Sequence, residues 1–176
     1  MSSVDYAGQI AELRRELAEL RPIADQLACQ KLQQRYWYGQ AKRDPDIVCS
    51  VFTDDARFGQ IHGLDRIRAQ TEMYMAHMGP VLESHHIIPV VADIHVDGDH
   101  ARGEVRGVAF MRMRAADGSE NVTVLGIGYL DEFVRTPDGW RISAMRGIES
   151  GFAAPHDTTW RFEAVSANAP APFPDP

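Results

Sequence analysis

Few side chains in this sequence are placed to do chemistry. They fall in four stretches: Tyr36-Trp37-Tyr38, His85-His86, Tyr129-Leu130-Asp131 and Arg146. An unperturbed imidazole, with a pKa near ~6.5, takes up and releases protons around neutrality. A phenol can donate to a developing oxyanion or protonate a leaving hydroxyl. An arginine can hold a carbonyl or carboxylate, and a carboxylate can orient an imidazole. Combined, these groups suit proton abstraction next to a carbonyl. His86 is either a core histidine held by one hydrogen bond or a base, Tyr36 or Tyr38 a candidate acid, and Arg146 either an anchor for substrate or the ion-pair partner of Asp131 or Glu149.

Strand period decides which of them can meet. Over 85–97, the apolar set Ile88, Val90, Ala92, Ile94 and Val96 shares a face with His86, so His86 is expected inward and His85 outward. Over 101–114, Ala101, Gly103, Val105, Gly107 and Ala109 share a face opposite Arg102, Glu104 and Arg106. Small residues along an inner face leave room for either a covering helix or an apolar ligand cavity. Leu125, Ile127, Tyr129, Asp131 and Phe133 share the expected pocket face of the next strand. Arg146 falls with Trp140, Ile142, Ala144 and Ile148, and an arginine on an apolar face needs a partner. A helix turns about 100° per residue, so Tyr36, Trp37 and Tyr38 cannot all face one pocket; Trp37 reads as a packing residue at its wall.

Other chemistries find no support. His85 and His86 point to opposite strand faces and cannot share one ion. The remaining histidines show no two-histidine spacing with an acid, and neither a phosphate loop nor a nucleophile elbow is present. No metal and no cofactor are expected.

The elements that must position these residues are helices first and a sheet second. Ile10, Leu13, Leu17 and Leu20 give residues 8–20 an apolar seam. Two heptads are too short for a free-standing zipper, so this helix is expected to lie on its own domain or a neighbouring subunit. Pro22 is expected to separate it from a second helix over 24–43, which Asp44-Pro45-Asp46 ends. Short helices over 46–52 and 65–78 flank a strand over 56–59. Four long strands follow over 85–97, 101–115, 122–135 and 140–149, joined by Asp97-Gly98-Asp99, Asp117-Gly118-Ser119 and Pro137-Asp138-Gly139. The expected class is α+β, with helices on one face of a curved antiparallel sheet.

Composition bounds the rest. The 176 residues carry 18 Lys plus Arg against 25 Asp plus Glu, a net charge of −7. That argues against nucleic acid as a partner. No apolar run is long enough for a membrane span. The two cysteines, Cys29 and Cys49, lie in no metal-ligand spacing, and the first residues are polar and acidic, so a cytoplasmic protein is expected.

Tyr36, Lys42-Arg43-Asp44, Val51-Phe52-Thr53-Asp54-Asp55-Ala56, Gly63 before a helix, His86 near the start of a long strand, Gly128-Tyr129-Leu130-Asp131 and Asp138-Gly139-Trp140-Arg141-Ile142 occur in an order that resembles a known family. This is the SnoaL-like branch of the nuclear transport factor 2-like superfamily, which includes scytalone dehydratase and bile-acid 7α-dehydratase. The resemblance covers about residues 24–150, with 1–23 as a helical extension and 151–176 as a partly disordered tail. It implies a cone-shaped half-barrel wrapped around the N-terminal helices, with a small apolar molecule inside and a homo-oligomer, trimer or dimer. It also implies a cofactor-independent lyase, dehydratase or isomerase acting on a polycyclic or terpenoid substrate, with His86 as the general base.

The resemblance also implies an orienting aspartate near the end of the early helix, and that position is Ala41 here. In a serine-protease triad, loss of the acid costs about 10⁴-fold in kcat. Asp131, Asp44 or Glu149 could supply the charge from another direction. A weak base with a tyrosine acid could suffice. Otherwise the fold is a non-catalytic ligand-binding or assembly module.

Overall fold

The computed structural model describes residues 5–79, 82–114 and 117–153, and its first element is one helix where the sequence pattern suggested two. Helix α1 (Tyr6–Lys42) runs 37 residues with Pro22 inside it. An interior proline removes one hydrogen bond and crowds the preceding turn, costing about 3 kcal/mol. Residues 5–24 are all exposed. The carbonyl left unpaired is therefore hydrated, and the Ala, Leu, Glu and Arg residues before it favour the helix strongly. The Asp5 side chain caps the start, accepting from the Gly8 N–H at 3.0 Å. At the other end Arg43 takes a left-handed φ of 56°.

Asp44 then caps helix α2 (Pro45–Cys49), accepting from the Asp46 and Ile47 N–H groups at 2.9 and 3.0 Å. Gly39 lets the two helices touch, since a Cβ there would stand 2.8 Å from the Val48 nitrogen. Strands β1 (Phe52–Phe58) and β2 (Ile61–His62) lead into helix α3 (Leu64–Met78). The long strands follow as a meander: β3 (Leu82–Asp97), β4 (His100–Arg114), β5 (Glu120–Thr136) and β6 (Gly139–Ala153).

The sheet order is β2-β1-β6-β5-β4-β3, with β1 parallel to β6 and the other pairs antiparallel. The α+β reading stands, and the cone-shaped half-barrel does not. β2 and β3 are both edges that pair on one side only, so the sheet is open. Closure requires two edges to pair along their length, and a two-residue β2 offers almost nothing to a sixteen-residue β3.

The C-terminal half of α1 lies across one face of this sheet. Cys29, Tyr36 and Trp37 join Val105, Phe133, Ile142 and Met145 in one buried cluster. At its rim Asp25 accepts from Arg135 at 2.6 Å and from the Trp140 indole N–H at 2.9 Å. Arg135 also stacks 4.5 Å from the Trp140 ring centre.

Bulges decide which residues face this core. On β3 the register slips between Leu82 and Ser84 and again between Pro89 and Val91. An extra residue reverses the facing of everything beyond it. Leu82, Ile87, Ala92, Ile94 and Val96 are accordingly buried or half-buried, whereas His86, Ile88, Val90 and Val91 are exposed. The expected facing is thus correct from Ala92 onward and inverted before it: His85 turns inward and His86 outward. β6 slips around Ser143, where Phe133 pairs with Ile142 but Glu132 with Ala144, and again around Ile148, where Tyr129 pairs with Gly147 but Gly128 with Glu149. Trp140 and Ile142 keep their inward facing, Met145 replaces Ala144 on the inner side, and Arg146 is exposed. The proline-rich tail from residue 154 onward lies outside the described residues.

Candidate functional site

The inner face of β4 carries small residues, as its alternation predicts, but most of their space is used. A Cβ at Gly103 would stand 2.6 Å from the Asp93 carbonyl oxygen, and one at Gly107 would stand 3.1 Å from the Trp37 ring. The neighbouring strand β3 and, at Gly107, the covering helix fill that stretch. Beyond it, where Ala109 and Met111 face Leu125 and Ile127, a cavity of about 290 Å³ remains. Tyr36, Trp37 and Gln40 of α1 form one wall, Gln70, Thr71 and Tyr74 of α3 a second, and His85, Ile87, Tyr129 and Phe58 complete it.

Among the described residues, His85 is the only imidazole in this wall. Burial pushes its pKa below the ordinary 6.5, reinforced by His86 and Arg43, while a hydrogen bond to the Gln40 backbone works the other way. Its Nδ1 is buried and has no hydrogen-bond partner among the described residues. The ring is neutral at neutral pH and can act as a base.

Tyr36 and Tyr129 meet edge to face, with ring centres 5.9 Å apart. Burial raises both phenol pKa values, and the nearby Asp131 adds to the rise. The contact between the two hydroxyls raises the Tyr36 pKa and lowers that of Tyr129, and the Gln40 side chain lowers that of Tyr36. Tyr74 is held protonated by burial as well.

Asp131 follows Tyr129 on the same strand face and is 1% exposed. Burial pushes its carboxyl up to about 7. With its amide nitrogen turned toward the acid, Gln33 donates to Asp131 Oδ2 at 3.0 Å and accepts from Trp37 Nε1 at 3.3 Å. Asp131 Oδ1 has no partner among the described residues. Cations reach neither oxygen in the interactions that shift its pKa, which leaves desolvation as the sole cause.

Of the sequence-based candidates, Tyr36, Trp37 and Tyr129 therefore line the cavity, with Asp131 behind them. The rest lie elsewhere. His86 is exposed on the other face of β3. Tyr38 is 54% exposed, with the Lys42 ammonium 5.6 Å above its ring. Ala41 is half-buried beside the wall, and its neighbour Gln40 occupies the lining. Arg146 borders a polar groove on the opposite face of the sheet, with Arg57, Asp93 and Glu132. Asp44 is committed to capping α2, and the Glu149 side chain lies outside the description. The sequence reading missed His85, Gln40, Gln70 and the roles of Thr71 and Tyr74. The α3 pair carried a signal in its spacing of three on the apolar side of the helix. His85 carried one in Pro89, since proline inside a long strand marks an edge or a bulge.

A family model described as the SnoaL-like domain matches residues 21–146. The chain belongs to the SnoaL-like family. An uncharacterized protein of Mycobacterium tuberculosis is 32% identical to it over 143 residues, covering 80% of this chain and 94% of that one. Two solved structures share the fold. A hexachlorocyclohexane dehydrochlorinase is 18% identical at a TM-score of 0.61, covering 78% of this chain and 94% of that one. A nuclear transport factor 2-like protein from Salmonella enterica is 19% identical at a TM-score of 0.59, covering 77% and 97%. Among the described residues no group of three or more His, Cys, Asp or Glu could hold a metal. No helix among them is long and apolar enough to cross a membrane.

Proposed function

We propose that this SnoaL-like protein is a cofactor-independent lyase or isomerase for a small apolar molecule, with His85 as the general base. The observation that carries the reading is the His85 imidazole, neutral, inward and unpartnered at Nδ1, in a cavity otherwise lined by phenols, amides and hydrocarbon. The imidazole takes a proton from a carbon next to a carbonyl. The electron pair moves toward the carbonyl oxygen, and Tyr129 donates its proton there or to a leaving hydroxyl on the adjacent carbon. The contact with Tyr36, which lowers the Tyr129 pKa, makes that phenol a stronger donor. Loss of the hydroxyl gives an unsaturated product and water; return of the proton to a different carbon gives an isomer.

Gln40 does part of the work of the family's orienting acid. Its backbone favours the protonated ring, as a carboxylate would, but contributes no full charge to stabilise the imidazolium. This favours substrates with an already acidic C–H. The cavity of about 290 Å³ lies at the lower edge of small-molecule pockets, favouring a compact ring system over an extended polycycle. The missing charge also supports a second reading, a pocket that binds without turnover.

The test is a panel of hydroxy-ketones and cyclic enones with His85→Ala, His86→Ala and Tyr129→Phe. Loss of two or more orders of magnitude in kcat for His85→Ala and Tyr129→Phe, with His86→Ala unchanged, is expected. Full activity in His85→Ala overturns the assignment. Binding without turnover across the panel selects the second reading.

A further inference from the structure

The first half of α1 leaves a long apolar stripe uncovered. Tyr6, Ile10, Leu13, Leu17, Leu20 and Leu27 are each at least 50% exposed. Their spacings are four, three, four, three and seven, with Ala24 filling the last interval. This is a heptad seam, Ile10, Leu17 and Ala24 at a positions and Tyr6, Leu13, Leu20 and Leu27 at d. Because the helix continues through Pro22, the seam runs about 33 Å, three heptads instead of the two visible when Pro22 is read as a break. It does not rest on the chain's own sheet. The residues that do, Asp25, Cys29, Gln33 and Tyr36, follow a line on the opposite side of the helix.

We propose that this stripe binds the same stripe of a second copy of the chain as a parallel, in-register two-stranded coil, with the two folded bodies outside the pair. The flanking charges select both partner and direction. Glu16 occupies a g position, and Arg21, five residues on, occupies an e position. In a parallel coil the g residue of one strand meets the following e residue of the other, so each dimer forms two Glu16–Arg21 pairs. An antiparallel coil brings g against g and e against e; Glu16 would face its own kind, and so would Arg14 and Arg21. Leucine at d with Ile10 at the first a position suits two strands. The seam ends where Lys31 and Gln34 take the next a and d positions.

Leu20→Cys in the full-length chain tests the geometry. Cys29 and Cys49 are buried free thiols and do not compete. Under mild oxidation Leu20→Cys is expected to run as a covalent dimer on non-reducing gels, because d positions are directly opposed in a parallel in-register coil. Sedimentation of the unmodified chain is expected to give twice the chain mass, and Leu17→Glu with Leu20→Glu to give a single chain with unchanged circular dichroism. Glu16→Arg is expected to weaken the dimer and Glu16→Arg with Arg21→Glu to restore it. A monomeric unmodified chain, an absent cross-link, or a dimer that survives the double glutamate variant overturns the proposal.

Discussion

Replacing Asp131 by Asn should stabilise the protein at alkaline pH and leave it nearly unchanged at acid pH. The carboxyl is 1% exposed, with Oδ1 unpartnered and Oδ2 facing only the Gln33 amide. Burial raises it from an ordinary 3.8 to about 7, equivalent to about 4 kcal/mol in favour of the neutral acid. A group whose folded pKa is raised contributes fully below its unfolded pKa, and the contribution is lost as pH rises through the folded value. This one site should therefore lower the wild-type stability by up to about 4 kcal/mol between pH 4 and pH 8. Asparagine cannot ionise, and its side-chain oxygen can still accept from Gln33. Asp131→Asn should remove that slope and raise Tm at pH 8 by roughly 10 °C, taking about 2–4 °C per kcal/mol for a domain of this size. Urea titrations from pH 4 to pH 8, followed by tryptophan fluorescence, give both curves. Parallel curves for wild type and variant would refute the reasoning, because they would mean that Asp131 ionises with a partner or in contact with water.

Two further outcomes follow from the other ionisable groups. Asp25→Ala removes the acceptor of Arg135 and of the buried Trp140 indole, and should cost about 2–3 kcal/mol in urea unfolding at pH 7; since Arg135 holds the Asp25 pKa down, the wild-type advantage should fade as pH drops through that lowered value. If His85 is the base, kcat/KM should fall as pH drops below about 6.5, with the midpoint under that value because burial lowers the pKa; a pH-rate profile with its acid limb above 6.5 would contradict this.

The sequence was most informative where alternation is uninterrupted. β4 and β5 pair without a slip from Ala101 to Met113, so Ala109, Tyr129 and Asp131 were assigned to the inner face from period alone. β3 and β6 alternate just as cleanly on paper. Their bulges at Val90 and Ser143 follow from the strands' need to bend against their neighbours, and a one-residue slip is invisible to a period of two. His86 and Arg146 were misplaced for that reason, by one position each. Pro22 misled in the opposite direction. Its cost of about 3 kcal/mol is offset by a long run of strong helix formers around it, and its exposed position leaves the freed carbonyl to water. The open sheet was not legible either, because closure depends on what the edges β2 and β3 meet, and no residue pattern within a strand encodes that. Tyr38 and Ala41 were drawn toward the site by resemblance, while the true wall of α1 runs along Tyr36, Trp37 and Gln40.

The central claim is that His85, not His86, presents a free imidazole nitrogen to the cavity. Nitrogen-15 spectra of the uniformly labelled chain, assigned with His85→Ala and His86→Ala, measure it directly. The account predicts that His85 titrates below pH 6.5 and that its ring nitrogen resonances move when a compact ketone fills the cavity. A His85 pKa at or above 6.5, or a ligand response at His86 alone, would contradict it.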